Sequence, residues 1–137
     1  MYNKKMIDEK FAKEWNRYWF SFLKNNNIKY KIVSCNNNLI WENIKEDLNK
    51  NWNWKYISRL DCITWDIVMK NPNINWDFSE LSLNKNITWE IVKNNRNYPW
   101  NFRNLSINDN ITIDIILNNP NEKWDFYNFS KNKNVTD

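Results

Sequence analysis

The chain contains no glycine, no histidine and no glutamine, and its one alanine is Ala12. Each absence removes something. Without histidine the commonest general base is missing, and with it every triad or zinc site that needs an imidazole. Without glycine there is no phosphate-cradling loop of the usual kind, and any left-handed backbone position falls to asparagine. No secretory segment or run of apolar residues long enough to span a bilayer is present, so the sequence reads as soluble and cytoplasmic, with no membrane partner. Cys35 and Cys62 are the only cysteines, which suits a reducing compartment and a structural, buried role rather than a disulfide framework. No cofactor, metal or small-molecule substrate is expected.

What fills the chain instead is asparagine, lysine and isoleucine, which together occupy nearly half of the 137 positions. Those residues are read from A/T-rich codons, and the missing ones need G/C-rich codons, which points to an A/T-biased genome. Tryptophan has a G-rich codon and runs against that bias, yet there are ten. The tryptophans are therefore the positions held by physical need. Charge is uneven as well. Residues 1–38 carry eight Lys/Arg against three acids, and residues 39–137 carry twelve against thirteen. A basic N-terminal segment precedes a nearly neutral body, so a uniform nucleic-acid face is not indicated.

The tryptophans fall in register. Trp52, Trp76, Trp100 and Trp124 stand 24 residues apart, as do Ser58, Ser82, Ser106 and Ser130, and Asn49, Asn73, Asn97 and Asn121. Trp41, Trp65 and Trp89 form a further column, completed by Ile113. Full copies of the unit cover 39–62, 63–86, 87–110 and 111–134, with 135–137 as the stub of another. Upstream, Tyr30, Val33, Ser34, Asn36 and Asn38 lie over Phe78, Leu81, Ser82, Asn84 and Asn86, which defines a degenerate first repeat at 15–38 behind a 14-residue leader. Residues 28–33 alternate like a strand, but the register predicts a helix there.

Each unit predicts two short helices. Thr64, Thr88 and Thr112 stand at N-cap positions, with Asp66, Glu90 and Asp114 in the first turn, where a carboxylate favours the helix dipole. Asp77 is the second cap, with Glu80 completing a capping box, and Asn53, Asn101 and Asp125 share its column. Ile63 with Val68, and Trp76 with Leu81, have the spacing of hydrophobic staples. Pro72 and Pro120 are expected to stop the first helix, and Asn84, Asn108 and Asn132 to supply left-handed C-terminal residues. Helices this short need tertiary burial to persist. The expected fold is all-α, an α-solenoid of two-helix, 24-residue repeats closed by an N-terminal capping helix.

That capping helix is placed near 6–24, where Ile7, Phe11, Trp15, Tyr18 and Phe22 follow helical spacing and Trp19, Phe20 and Leu23 widen the face. Part of this basic, aromatic helix could dock on a partner. Tyr18 and Leu23 have the Tyr-x4-Leu spacing used by scaffolds that bind the cap-binding translation initiation factor, although Lys24 stands where an apolar residue is wanted. In the repeats, the acids Glu42, Asp66, Glu90 and Asp114 recur as helix first-turn residues rather than as a catalytic ladder, and the Trp columns read as core rather than base-stacking platforms. Partner recognition in repeat proteins falls on variable positions. Two such columns lie on the second helix: Lys55, Ser79, Arg103 and Tyr127, and Tyr56, Glu80, Asn104 and Asn128. The candidate partner-binding residues are these eight together with Tyr18, Trp19, Phe22 and Leu23.

The segments Asn86-Ile87-Thr88-Trp89-Glu90-Ile91-Val92 and Asn71-Pro72-Asn73-Ile74-Asn75-Trp76-Asp77-Phe78 resemble the Asn/Trp-rich tandem repeats of mimivirus-like giant viruses, over 39–136 closely and 15–38 loosely. The chain departs from that pattern at Leu48, Arg96, Ile113 and its basic leader. The resemblance implies a viral protein at work in the infected host cytoplasm or viral factory, and no chemistry. The sequence then supports a non-enzymatic protein-interaction scaffold. Three other readings stay open: a translation-initiation adaptor docking through the N-terminal helix, RNA binding through 1–38, and a structural virion component.

Overall fold

A computed structural model describes residues 10–11, 14–15, 17–19, 21–22 and 29–135. Every regular element among the described residues is a helix, and none is a strand. The chain divides into two compact units, Met1–Asn53 and Trp54–Asp137.

In the first unit the described residues between 10 and 22 are helical. Two short helices follow, α1 (Tyr30–Val33) and α2 (Trp41–Lys45). Register therefore prevails over the strand-like alternation at 28–33. The reason is visible at Ser34, whose hydroxyl donates to the Tyr30 carbonyl at 2.8 Å and accepts the Asn53 N–H at 2.9 Å. These bonds anchor a helical turn that a strand could not offer. Tyr30 meets Trp52 edge-on, with ring centroids 4.9 Å apart, and its hydroxyl donates to Asp47 Oδ2 at 3.2 Å. Val33, Leu39, Ile44 and Trp52 are buried.

The second unit holds α3 (Trp54–Ser58), α4 (Trp65–Lys70), α5 (Phe78–Leu81), α6 (Trp89–Asn94), α7 (Phe102–Leu105), α8 (Ile113–Asn118) and α9 (Phe126–Phe129). Thr64, Thr88 and Thr112 cap the longer helices, each accepting the N–H three residues on at 3.4 Å. Asp77, Asn101 and Asp125 cap the shorter ones with tighter bonds of 3.0, 3.1 and 2.8 Å. Both members of each expected staple are buried, among them Ile63 with Val68 and Trp76 with Leu81. Helices of four to six residues have almost no stability of their own, so this buried apolar set holds them.

Three expectations about the ends of these helices need correction. Pro72 and Pro120 are not what stops the longer helices. Asn95 adopts φ −130°, ψ 49° although Arg96 follows it, close to the values of Asn71 and Asn119. All three asparagines donate through Nδ2 to the carbonyl four residues back, at 2.8, 2.8 and 2.7 Å. Their own carbonyls accept the indole N–H of Trp76, Trp100 and Trp124 at 3.0, 2.8 and 2.9 Å. The asparagine closes the helix and seats the tryptophan.

Glu80 does not complete a capping box. The Asp77 N–H it would accept is already donated to Ser58 Oγ at 3.0 Å, and Glu80 lies instead 3.8 Å from both Lys55 Nζ and Arg59 Nη1. Nor do Asn84, Asn108 and Asn132 act as C-terminal caps. The residue that ends α5 is Ser82, in right-handed conformation. Asn84 is buried, and its Nδ2 donates to Ser58 O at 2.9 Å and Leu60 O at 3.0 Å. Asn108 repeats this toward Ser82 O and Asn84 O at 3.0 Å each, and Asn132 toward Ser106 O at 3.2 Å and Asn108 O at 2.9 Å. A primary amide carries two N–H donors and here spends both on buried carbonyls that water cannot reach. Parallel bonds run from Asn86 to Asp61 O and Ile63 O, and from Asn110 to Lys85 O and Ile87 O.

Candidate interaction surfaces

The described aromatics of the N-terminal helix lie in the open. Phe11, Trp15 and Tyr18 are more than half exposed, and Trp19 and Phe22 are about 40 % exposed. Their rings follow one another along the helix, with centroid separations of 6.4 Å for Phe11–Trp15, 6.2 Å for Trp15–Tyr18 and 5.5 Å for Trp19–Phe22. The described rings of this face are thus exposed and contact one another along the helix. Ile7, Phe20 and Leu23 lie outside the described residues, so the Tyr-x4-Leu pair is placed only at Tyr18.

The two variable columns of the second helix part company. Lys55, Arg103, Tyr56 and Tyr127 are exposed, and Tyr127 carries the Lys131 ammonium 4.1 Å above its ring. Arg103 Nε sits 3.7 Å from Asp125 Oδ2. Ser79, Glu80 and Asn104 are only partly exposed, and Asn128 is buried. Asn104 Nδ2 donates to both the carbonyl and the hydroxyl of Ser79, at 2.9 Å each, and Asn101 Nδ2 donates to the same hydroxyl at 2.8 Å. The column read as variable thus turns inward at Glu80, Asn104 and Asn128; Glu80 meets Lys55 and Arg59, and Asn104 meets Ser79, all from the preceding segment. At Asn128 the counterpart of Ser79 is Arg103, which has no hydroxyl, and Asn128 Nδ2 is buried without a partner.

Beside this column a groove of about 450 Å³ is lined by Ser79, Pro99, Trp100, Asn101, Phe102, Arg103 and Lys123. It is shallow, and two cations, Arg103 and Lys123, line it with the aromatics Trp100 and Phe102. The four acids Glu42, Asp66, Glu90 and Asp114 are exposed on helix first turns, Asp66 paired with Lys70 at 2.9 Å and Glu90 accepting from Asn94 at 2.8 Å. Among the described residues no group of three or more Cys, Asp or Glu side chains is placed to hold a metal ion, and no helix is long and apolar enough to cross a membrane. Cys35 is exposed and Cys62 half-buried, which corrects the buried role expected of them.

One group escaped the sequence reading. Arg96, noted only as a departure from the repeat pattern, places its guanidinium 4.9 Å from the Trp89 ring centroid and 5.9 Å from that of Phe102, while Nη2 reaches Glu122 Oε1 at 2.6 Å. Next to it, Tyr98 stacks on Phe78 at 5.1 Å and meets Trp65 edge-on at 5.3 Å. The sole signal in the sequence was a cation where the neighbouring repeats have Pro72 and Pro120. Comparison of the chain with protein-family models, curated proteins and solved structures finds no match.

Proposed function

We propose that this chain is a non-enzymatic scaffold that binds another protein, built as an α-solenoid of 24-residue repeats of the kind seen in giant viruses and acting in the infected host cytoplasm. The carrying observation is how its polar side chains are employed. In the second unit the Thr, Ser, Asp and buried Asn columns are taken up by caps and by bonds 19 to 26 residues long in sequence, which leaves little to assemble a reaction centre. The recurrence of the same bonds from Asn84, Asn108 and Asn132 supports stacking of successive repeats within that unit. Exposed positions that differ from copy to copy, Lys55, Tyr56, Arg103 and Tyr127, then offer a surface whose chemistry can be specific.

Affinity purification of the tagged chain from infected cells tests this reading. A stoichiometric protein partner is expected, its recovery reduced by Tyr56→Ala with Tyr127→Ala. Repeated recovery of no protein sinks it. The exposed rings of Phe11, Trp15 and Tyr18, interleaved with Lys10 and Arg17, favour a second reading as a single-stranded RNA platform. That reading requires a steep salt dependence of RNA affinity that vanishes on deleting 1–38. Replacing Tyr18 and Leu23 with alanine tests the translation-adaptor version, which requires loss of binding to the cap-binding factor.

A further inference from the structure

Asn104 and Asn128 hold equivalent positions in successive copies, and only one of them is satisfied. Asn104 Nδ2 donates to the Ser79 hydroxyl at 2.9 Å, whereas Asn128 Nδ2 is buried without a partner and Arg103 stands where that hydroxyl would be. A buried amide with no acceptor is destabilising, and the fold elsewhere avoids it. Departures of this kind gather at functional sites. Arg103 does little for the fold in return. It is exposed, makes no hydrogen bond among the described residues, and its ion pair with Asp125 is long at 3.7 Å.

What Arg103 does line is the groove of about 450 Å³ that it shares with Ser79, Pro99, Trp100, Phe102 and Lys123. Ser79 Oγ accepts from Asn101 Nδ2 and Asn104 Nδ2, and its own O–H donates to nothing among the described residues. Lys123 is exposed and pairs with no acid among the described residues, while Glu122 beside it is held by Arg96. Three donors with hydrogens to spare thus line one groove, next to an apolar floor. The counterparts of Lys123 in the two preceding copies, Asn75 and Pro99, are exposed although further repeats follow them, so this face stays open along the second unit.

We propose that the groove binds a short acidic segment of another protein. Arg103 and Lys123 pair with its carboxylates, the Ser79 hydroxyl donates to one of them, and Pro99, Trp100 and Phe102 cover an apolar side chain between them. The inference deepens the scaffold reading above and rests on it. Charge selects the occupant. A nucleic-acid backbone needs a track of cations, and residues 39–137 carry twelve Lys/Arg against thirteen acids, whereas two cations in one groove match a few carboxylates.

Nuclear magnetic resonance titration of the full chain with an end-blocked peptide of two glutamates, a leucine and two glutamates tests the proposal. The peptide shifts the Trp100 indole N–H and the Asn101 and Phe102 amides, and replacing its glutamates with glutamine lowers affinity at least tenfold. Lys123→Gln lowers it about three- to fivefold, the scale of one exposed ion pair. Arg103→Ser lowers it about tenfold, because the guanidinium fork can hold a carboxylate by two bonds. That variant unfolds at a urea concentration no lower than the parent chain, so its loss of binding is not a loss of fold. No shift at these groups, or equal affinity for the glutamine peptide or by the Arg103→Ser chain, overturns the proposal. So does a ten-residue oligouridylate that binds the same groups more tightly than the peptide. The two levels separate in the purification from infected cells. A partner recovered in full by the Arg103→Ser chain overturns the groove and leaves the scaffold standing; recovery of no protein, with the peptide responding as stated, overturns the scaffold and leaves the groove.

Discussion

Asn108→Ala removes four hydrogen bonds at one buried position, the longest of them the 3.5 Å contact of its amide with Ile87 O. The amide donates at 3.0 Å to Ser82 O and at 3.0 Å to Asn84 O, and its Oδ1 accepts the Asn110 N–H at 2.9 Å. Alanine leaves a small void and takes the side-chain donor from the Ser82 carbonyl, while Asn84 O keeps the Ile87 N–H at 3.0 Å. A buried group left unsatisfied costs about 1–3 kcal/mol, which sets the scale of the loss. A domain of this size has about 5–15 kcal/mol in all, so the change is readily measured on that scale. Asn73 is the control. It belongs to a column as regular as that of Asn108 in sequence, but it is exposed, and Asn73→Ala is expected to cost less than about 1 kcal/mol. Urea unfolding followed by tryptophan fluorescence measures both, with an unchanged slope confirming that the denatured state is comparable. Equal losses at Asn73 and Asn108, or a loss below about 1 kcal/mol at Asn108, would refute the assignment of the buried amides as the tie between successive segments.

Three further outcomes are expected. Glu80→Gln changes stability by no more than about 1 kcal/mol, because its partners Lys55 and Arg59 are mostly exposed and no capping box exists to lose; a larger loss by chemical denaturation would show that the box forms. Arg96→Ala costs about 1 kcal/mol or more through the Trp89 face and Glu122, and Arg96→Lys recovers only part of it, since an ammonium lacks the planar fork; full rescue by lysine in thermal unfolding would contradict that geometry. Arg103→Ser stabilises the chain by about 1 kcal/mol, giving the buried Asn128 amide the hydroxyl that Ser79 gives Asn104, and a fall in the urea midpoint would count against it.

What the sequence made legible was local. Caps at Thr64, Thr88 and Thr112 and at Asp77, Asn101 and Asp125 follow from a short polar side chain set before an apolar run. Burial of Trp76 and Trp100 follows from the size of the indole and its fixed spacing. The helix at Tyr30–Val33 was legible only through register, because its own alternation suggests a strand. What stayed hidden depends on residues 19 to 26 positions away. Ser58 reaches the Asp77 N–H before Glu80 can, and Asn84 has its donors drawn to Ser58 and Leu60. Neither competition leaves a trace in a window of a few residues. For the candidate surface, variation between copies identified the column of Tyr56, Glu80, Asn104 and Asn128. It could not tell that a side chain varies to fit its neighbour in the preceding segment, as Asn104 does with Ser79. At the N-terminal aromatics helical spacing marks a face that can be buried, but burial itself needs a second surface, which spacing does not reveal.

The account turns on successive segments of the second unit being joined through their serine hydroxyls, and hydrogen exchange at three backbone amides measures that directly. The N–H groups of Asp77, Asn101 and Asp125 stand at helix N-caps, where no bond within the helix protects them, and each donates to a serine 19 residues earlier at 3.0, 2.9 and 2.9 Å. They are expected to exchange as slowly as the buried helix amides of Leu81 and Leu105. Exchange at the rate of an exposed N-cap amide, at all three positions, would contradict the account.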